Sequence, residues 1–129
     1  GLAIGDSVEG PYRRHPANPV VDSRALPAMH GEAYRGFEDP CVWFEAGRYH
    51  MLVKDCGYFP ASGGCYFVSD DGIDWGAPGR GYHNAEHYWS EPGVLDSPLM
   101  LFDETGRPAY LFTNRFTANR ATGFVFRVH

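Results

Sequence analysis

The chain of 129 residues contains no apolar run close to the roughly 20 residues that a membrane-spanning helix needs. Its first residues, GLAIGDSVEG, lack the basic region and the long apolar region of a signal peptide. The chain also lacks a basic stripe, because its acids and bases are interspersed and its formal net charge is -5. The sequence therefore predicts that neither a membrane nor a nucleic acid is a partner.

Long runs of Ala, Leu, Glu and Lys, which are typical of helices, are also missing. Glycine (16 residues), proline (10 residues) and aromatic residues (16%) are plentiful instead. This composition is typical of short strands separated by turns. A hydrophobic share of 43% is enough for one core in a chain of this length. We therefore predict an all-β fold made of antiparallel sheets.

Cysteine is scarce, with three residues in the chain. Cys56 and Cys65 flank the segment GYFPASGG and are placed to close it as a disulfide in an oxidising compartment, which would leave Cys41 free. The alternative is three reduced and mostly buried thiols. The sequence leaves both arrangements open, and we favour a secreted or periplasmic location over a cytoplasmic one.

The chain repeats itself. DPCVWFEAGRYHMLVKD (39–55) aligns with SPLMLFDETGRPAYLFTN (97–114) after a shift of one residue, and each copy reads as a β-hairpin with an acidic Gly-Arg turn. A further strand follows each hairpin, in GCYFVSDDGIDWG (64–76) and in TGFVFRVH (122–129). A repeat of about 50 residues made of antiparallel strands is typical of β-propeller blades.

These units predict that residues 1–129 form part of a β-propeller. Residues 36–76 would form one blade, residues 95–129 the next, and residues 1–21 the outer strand of a preceding blade. About two and a half blades cannot close a ring, because propellers have at least about four. We therefore expect the rest of the propeller to come from a larger chain or from association with another copy.

Four segments in this order resemble a known family: EGPYRRHPANPV, EDPCVWFEAGRYHMLVKD, SDDGIDW and DSPLMLFDETGRPAYLF. Together they look like the C-terminal half of five-bladed β-propeller glycoside hydrolases of the family 43, 32 and 117 type. The resemblance implies hydrolysis of glycosidic bonds in an oligosaccharide or polysaccharide by acids on the innermost strands. Those relatives usually carry ERP or HERP, with a catalytic Glu, where this chain reads LDSP around Asp96.

Three acids are candidate catalytic residues: Glu38, Asp39 and Asp96. Glycoside hydrolysis needs a carboxylic acid for the leaving oxygen and a carboxylate for water or for the sugar. Neighbouring residues on a strand point to opposite faces, so we predict that Glu38 and Asp39 do not share one substrate position. The resemblance places Asp39 at the sugar, with Asp96 as the second inward acid and a third acid outside this chain.

Other interpretations of these acids remain open. An acid before proline also readily accepts hydrogen bonds from turn amides. The residue before proline is, in addition, expected to take an extended geometry. The function hypotheses are therefore a glycoside hydrolase and, as the alternative, a non-catalytic carbohydrate-binding propeller or inactive fragment.

Residues in the two loops between the predicted blades are candidates for substrate binding: His30, Arg35, His87 and Trp89. HNAEH (83–87) fits the inverted zinc-protease motif, but its surroundings are not helical, so we predict no metal site there. No cofactor is required by the chemistry. A structural calcium or other divalent ion is the single non-protein component that the resemblance allows.

SDDGIDW (69–75) resembles the turn that closes an outer hairpin in sialidase-type propellers, with one residue fewer. We predict a structural role. Ser69, Asp70 or Asp71 would bond to turn amides, Gly72 would take a positive φ, and Trp75 would pack between blades.

Overall fold

The computed structural model describes residues 1–22, 24, 26, 36–59, 63–83, 94–117 and 120–128. Within these ranges the chain forms strands in three antiparallel sheets and no α-helix, so the all-β prediction is confirmed. Sheet 1 pairs β1 (Ala3–Ile4) with β2 (Arg13–Arg14). Sheet 2 is the meander β3 (Phe37–Glu45), β4 (Arg48–Asp55), β5 (Gly63–Ser69) and β6 (Gly79–His83). Sheet 3 contains β7 (Val94–Phe102), β8 (Pro108–Thr117) and β9 (Arg120–Arg127).

Both predicted hairpins are present. Ala46 and Gly47 join β3 to β4 with φ angles of 51° and 82°, the pair of positive values that a type I′ turn requires. Between β7 and β8 the Asp103 carboxylate accepts hydrogen bonds from the amides of Thr105 (2.8 Å) and Arg107 (3.0 Å). Each hairpin carries a third strand, as the repeat predicts.

The strand registers show that sheets 2 and 3 are equivalent. Val42, Met51 and Phe67 lie side by side across sheet 2, and the corresponding row across sheet 3 is Met100, Leu111 and Phe126. The next row is Cys41, Leu52 and Tyr66 in sheet 2 and Leu99, Phe112 and Val125 in sheet 3. Because side chains alternate between faces, we call the face with Val42 or Met100 the back and the face with Cys41 or Leu99 the front.

The front of sheet 2 packs on the back of sheet 3. Buried Leu52, Met100 and Leu111 form the centre of this contact. Half-buried residues from both sheets surround them: Cys41, Trp43, Tyr66, Tyr82, Phe102 and Phe126. The two sheets therefore share one apolar layer and hold β3 next to β7, which fixes the distance between the two predicted catalytic strands.

The back of sheet 2 and the front of sheet 3 differ in how far other residues bury them. The back of sheet 2 holds a second core of Met51, Val53, Cys65, Phe67 and Trp75, with Val20, Val21 and Leu26 packed against it. The front of sheet 3 is open, and Leu99, Leu101, Tyr110, Phe112 and Val125 are exposed there. Alternation of aromatic residues along the strands predicts that most of them are core, and this holds in part, since Phe44, Tyr110 and Phe112 are exposed.

The segments 13–36 and 76–95 are rich in Pro, Gly, Asn and His and lack strand alternation, which predicts loops. That prediction was wrong for β2 and for β6, whose sequence is GRGYH. Glycine explains the second case, because a Cβ at Gly81 would lie 2.5 Å from Leu52 Cδ2. Gly81 thus interrupts the apolar alternation that would predict a strand, and its lack of a side chain permits the close packing of β6.

The thiols are free. Cys65 is fully buried in β5, and Cys41 and Cys56 are half-buried, so the structure has no bond between Cys56 and Cys65. Burial raises the pKa of the Cys56 thiol, and it raises that of Cys65 further. Among the described residues no helix is long and apolar enough to cross a membrane.

The turn SDDGIDW takes the predicted structural role. Ser69 Oγ accepts hydrogen bonds from the amides of Asp71 (3.3 Å) and Gly72 (2.9 Å), and Gly72 has a φ of 73°. Asp71 Oδ1 accepts from the amides at 73 and 74, and these bonds lower the pKa of Asp71. Trp75 is 6% exposed and packs on the back of sheet 2.

We expect Ser69→Ala to destabilise the protein by about 1–2 kcal/mol, because it leaves turn amides without their acceptor at a buried position. Ser69 is 2% exposed, so water cannot replace the hydroxyl without rearrangement. Urea unfolding followed by Trp fluorescence measures the change. Ser7→Ala is the matched control, since Ser7 Oγ makes its bonds in an exposed turn. Equal midpoints for Ser69→Ala and the wild type would contradict the assigned role.

Candidate functional site

Strands β3 and β7 begin in the same unusual way. Each has a bulge near its start, where the register shifts between Glu38 and Cys41 and between Asp96 and Leu99. The bulged residues before the prolines are Asp39 (φ 52°) and Ser97 (φ 49°). A residue other than glycine pays roughly 1–3 kcal/mol for such a conformation, and strain of this kind is concentrated at functional sites.

The bulge brings neighbouring acids together. One carboxylate oxygen from each of Glu38, Asp39 and Asp96 lies within 4.8 Å of the others. The assumption that Glu38 and Asp39 point to opposite faces was therefore wrong, because the positive φ of Asp39 interrupts the regular alternation. That the two acids do not share one substrate position stays a prediction. We call Glu38, Asp39 and Asp96 the acidic cluster.

Lys54 ties two members of the acidic cluster together. Its Nζ lies 2.8 Å from Glu38 Oε2 and 2.8 Å from Asp96 Oδ1. The Lys54 side chain is 18% exposed and that of Asp96 15%, so this ion pair is largely shielded from water. Hydrogen bonds from Lys54 to Asp96 and to Glu38 raise the pKa of Lys54 above its usual value. The bridge connects β4 of sheet 2 to β7 of sheet 3.

Asp39 differs from the other two acids. It is exposed, and within the described ranges its carboxylate has no ion pair, while Ser97 Oγ donates a hydrogen bond to its Oδ2 at 2.9 Å. Ser97 occupies the position in the second repeat that Asp39 occupies in the first, so this hydrogen bond joins the two bulges. Asp39 is thus the carboxylate of the cluster best placed to meet a ligand.

A cavity of about 810 Å³ lies beside Asp39. Its polar side is formed by Asp39, Ser97 and Asn114, and its apolar side by front-face residues of sheet 3 such as Leu99 and Phe112. This volume is within the range of about 300–1,000 Å³ that is usual for small-molecule sites.

A hard cation is the ligand that three carboxylate oxygens suit best. In this chain the Lys54 ammonium already supplies positive charge to Glu38 and Asp96. Two of the three acids therefore already have a positively charged partner within the protein. Exposed acidic groups alone do not define a metal site.

The four predicted substrate-binding residues, His30, Arg35, His87 and Trp89, lie outside the described residues. Sequence reasoning missed Lys54 and Ser97. A signal existed for Ser97, because the repeat places it over Asp39. For Lys54 the signal was that it is the one lysine in the chain.

Lys54 is expected to be a slow target for amine acylation. Because folding raises its pKa above the usual 10.5, its contribution to the free energy of unfolding is fully present below about pH 10.5. That contribution is lost as the pH rises through the folded-state value. We expect acetic anhydride at pH 9 to modify Lys54 at least tenfold more slowly in the native protein than in urea, as measured by peptide mass spectrometry. Equal rates would show that the bridge does not form.

Comparisons of the chain with protein-family models, with curated proteins and with solved structures give no match. The function is therefore inferred from the acidic cluster and its surroundings.

Proposed function

We propose that the chain forms part of the carbohydrate-cleaving site of a β-propeller glycoside hydrolase. The observation that carries the proposal is the acidic cluster: equivalent bulges on two neighbouring sheets direct Glu38, Asp39 and Asp96 to one point beside a cavity. Sheets 2 and 3 correspond to two successive blades, and β3 and β7 to their inner strands. The sequence resemblance to propeller hydrolases implies that Asp39 faces the sugar and that Asp96 is a second inward acid.

Asp39 is the carboxylate assigned to the substrate. The Lys54 ammonium bridges Glu38 and Asp96, so we assign these two acids to holding the two bulges in place beside Asp39. Two-carboxylate hydrolysis then needs a second carboxyl group as the acid. We assign that group to a further sheet around the same centre.

A second candidate is a carbohydrate-binding propeller without catalysis. It is favoured by the sequence LDSP at Asp96, which replaces the Glu, His and Arg of the related hydrolases. In that case Asp39 would accept hydrogen bonds from sugar hydroxyls without taking part in a reaction.

The two candidates are separated by turnover. We would incubate the complete propeller, including the further sheet that carries the acid, with a panel of p-nitrophenyl glycosides and with natural oligosaccharides, and follow p-nitrophenol release and reducing ends. Hydrolysis of at least one substrate is expected. Complete absence of turnover would rule out the hydrolase, and calorimetric titration with the same oligosaccharides would then decide whether the site binds sugars.

A further inference from the structure

Sheets 2 and 3 pack through different faces. The front of sheet 2 lies on the back of sheet 3, and the two sheets are equivalent strand by strand. Because this contact joins the front of one sheet to the back of the other, one front and one back are left that make no such contact within the chain. Here these are the front of sheet 3 and the back of sheet 2.

The unused front is apolar and exposed. Leu99 is 60% exposed, Leu101 51% and Val125 56%, and they share the face with Tyr110 and Phe112. In sheet 2 the residues equivalent to Leu99 and Leu101 are Cys41 and Trp43, which pack on sheet 3. A contiguous exposed apolar face of this kind marks an interaction surface.

The unused back is partly open in the matching place. Val42 is 50% exposed and Phe44 59% exposed on β3, although Met51 and Phe67 beside them are covered. Their equivalents on sheet 3 are Met100 and Phe102, which receive Cys41 and Trp43 in the existing contact. A repeat of this contact would therefore find Val42 and Phe44 uncovered on β3, whereas Met51, the equivalent of Leu111, belongs to the cluster against which Val20, Val21 and Leu26 already pack. The repeated contact is thus centred on β3.

Charge also matches at the hairpin ends of the two faces. Arg127 lies beside Tyr110 on the front of sheet 3 and is exposed. At the corresponding end of sheet 2 the turn after β5 packs on Tyr49 and carries exposed Asp71 and Asp74, while its third acid, Asp70, already pairs with Arg48. A basic side chain on one face would therefore meet an acidic turn on the other.

From this geometry we infer that the front of sheet 3 packs against the back of sheet 2 of a second copy of this chain. Leu99 and Leu101 of one copy contact Val42 and Phe44 of the next, and Arg127 faces the acidic turn. Each copy then contributes two sheets to a head-to-tail stack, which closes into a ring if the rotation permits. The apolar side of the cavity beside Asp39 becomes part of this contact, while its polar side stays open.

The inference goes beyond the proposed chemistry, and its test does not use activity. We would measure the mass of the chain by light scattering and sedimentation over a range of concentrations. A mass of two or more times 14.4 kDa, in whole-number steps, is expected for the wild type. Leu101→Lys and Phe44→Lys should each weaken association at least tenfold, because each places a charge in one of the two faces. Val8→Lys is the control, since Val8 is 92% exposed and lies on neither face.

Mixing the variants tests the direction of the contact. Leu101→Lys keeps an intact back and Phe44→Lys an intact front, so an equimolar mixture should form a one-to-one dimer although each variant alone is monomeric. Circular dichroism confirms that both variants are folded. A monomeric wild type at all concentrations would overturn the inference and assign the face to a sheet on a different polypeptide. A front-to-front dimer, insensitive to Phe44→Lys, would overturn it as well.

Discussion

Asp39→Asn is expected to lower kcat/KM for any glycoside that the protein cleaves by about 10²–10⁴-fold, the usual contribution of one acid or base. We expect the large effect at Asp39 because its carboxylate is exposed, accepts a hydrogen bond from a hydroxyl and makes no ion pair with the residues that the structure describes. Asparagine is the informative replacement, since it also tolerates a φ near 52° and can keep the bulge. The melting temperature should therefore stay within about a degree or rise slightly, as one of three neighbouring negative charges is removed.

Glu104→Gln is the matched control for that variant. Glu104 is an exposed acid in the hairpin turn of sheet 3, away from the acidic cluster, and its neutralisation should leave kcat/KM unchanged. Initial rates for both variants are compared on the substrate that the wild type cleaves fastest. Asp39→Asn with half or more of the wild-type activity would show that another group acts on the substrate.

Lys54→Met is expected to reduce the free energy of unfolding by about 2–3 kcal/mol. Methionine keeps much of the apolar stem but leaves Asp96, with 15% of its side chain exposed, without its ammonium partner. The loss should be below the roughly 3–5 kcal/mol of a fully buried pair, because Glu38 is 49% exposed and can turn to water. Guanidinium unfolding followed by Trp fluorescence measures the change.

A double variant separates the ion pair from other effects of Lys54. In Lys54→Met with Asp96→Asn the unpaired charge is gone, so the combined loss should be smaller than the sum of the two single losses. Arg48→Met is the control, since its ion pair with Asp70 is exposed and should contribute little. Additive losses at Lys54 and Asp96 would contradict a direct bridge between the two sheets.

The sequence predicted the two hairpins because a repeat of strand, acidic turn and strand occurs twice at full length. The structural turn 69–75 was also predictable, since Ser, Asp and Gly at fixed offsets have few alternatives to capping the turn amides. These predictions depended on local chemistry. Strand pairing confirms the two hairpins, and the hydrogen bonds of Ser69 and Asp71 confirm the turn.

The site was harder to predict because it depends on a deviation from regular geometry. Alternation along a strand correctly describes Cys41 to Glu45, but it fails at Asp39, where a bulge turns the chain. Lys54 is 16 residues further along the chain than its partner Glu38, and its other partner, Asp96, lies on another sheet. Strand pairing and sheet packing, which no local pattern encodes, bring them together.

The most direct test of the carbohydrate site is affinity labelling with epoxyalkyl glycosides, which esterify a carboxylate beside a bound sugar in a catalytic or a purely binding site. Mass spectrometry of the digested protein then locates the ester. We predict labelling at Asp39, suppressed by excess oligosaccharide, with Asp103 and Glu104 unlabelled. Labelling spread over exposed acids and insensitive to oligosaccharide would contradict a carbohydrate site at the acidic cluster.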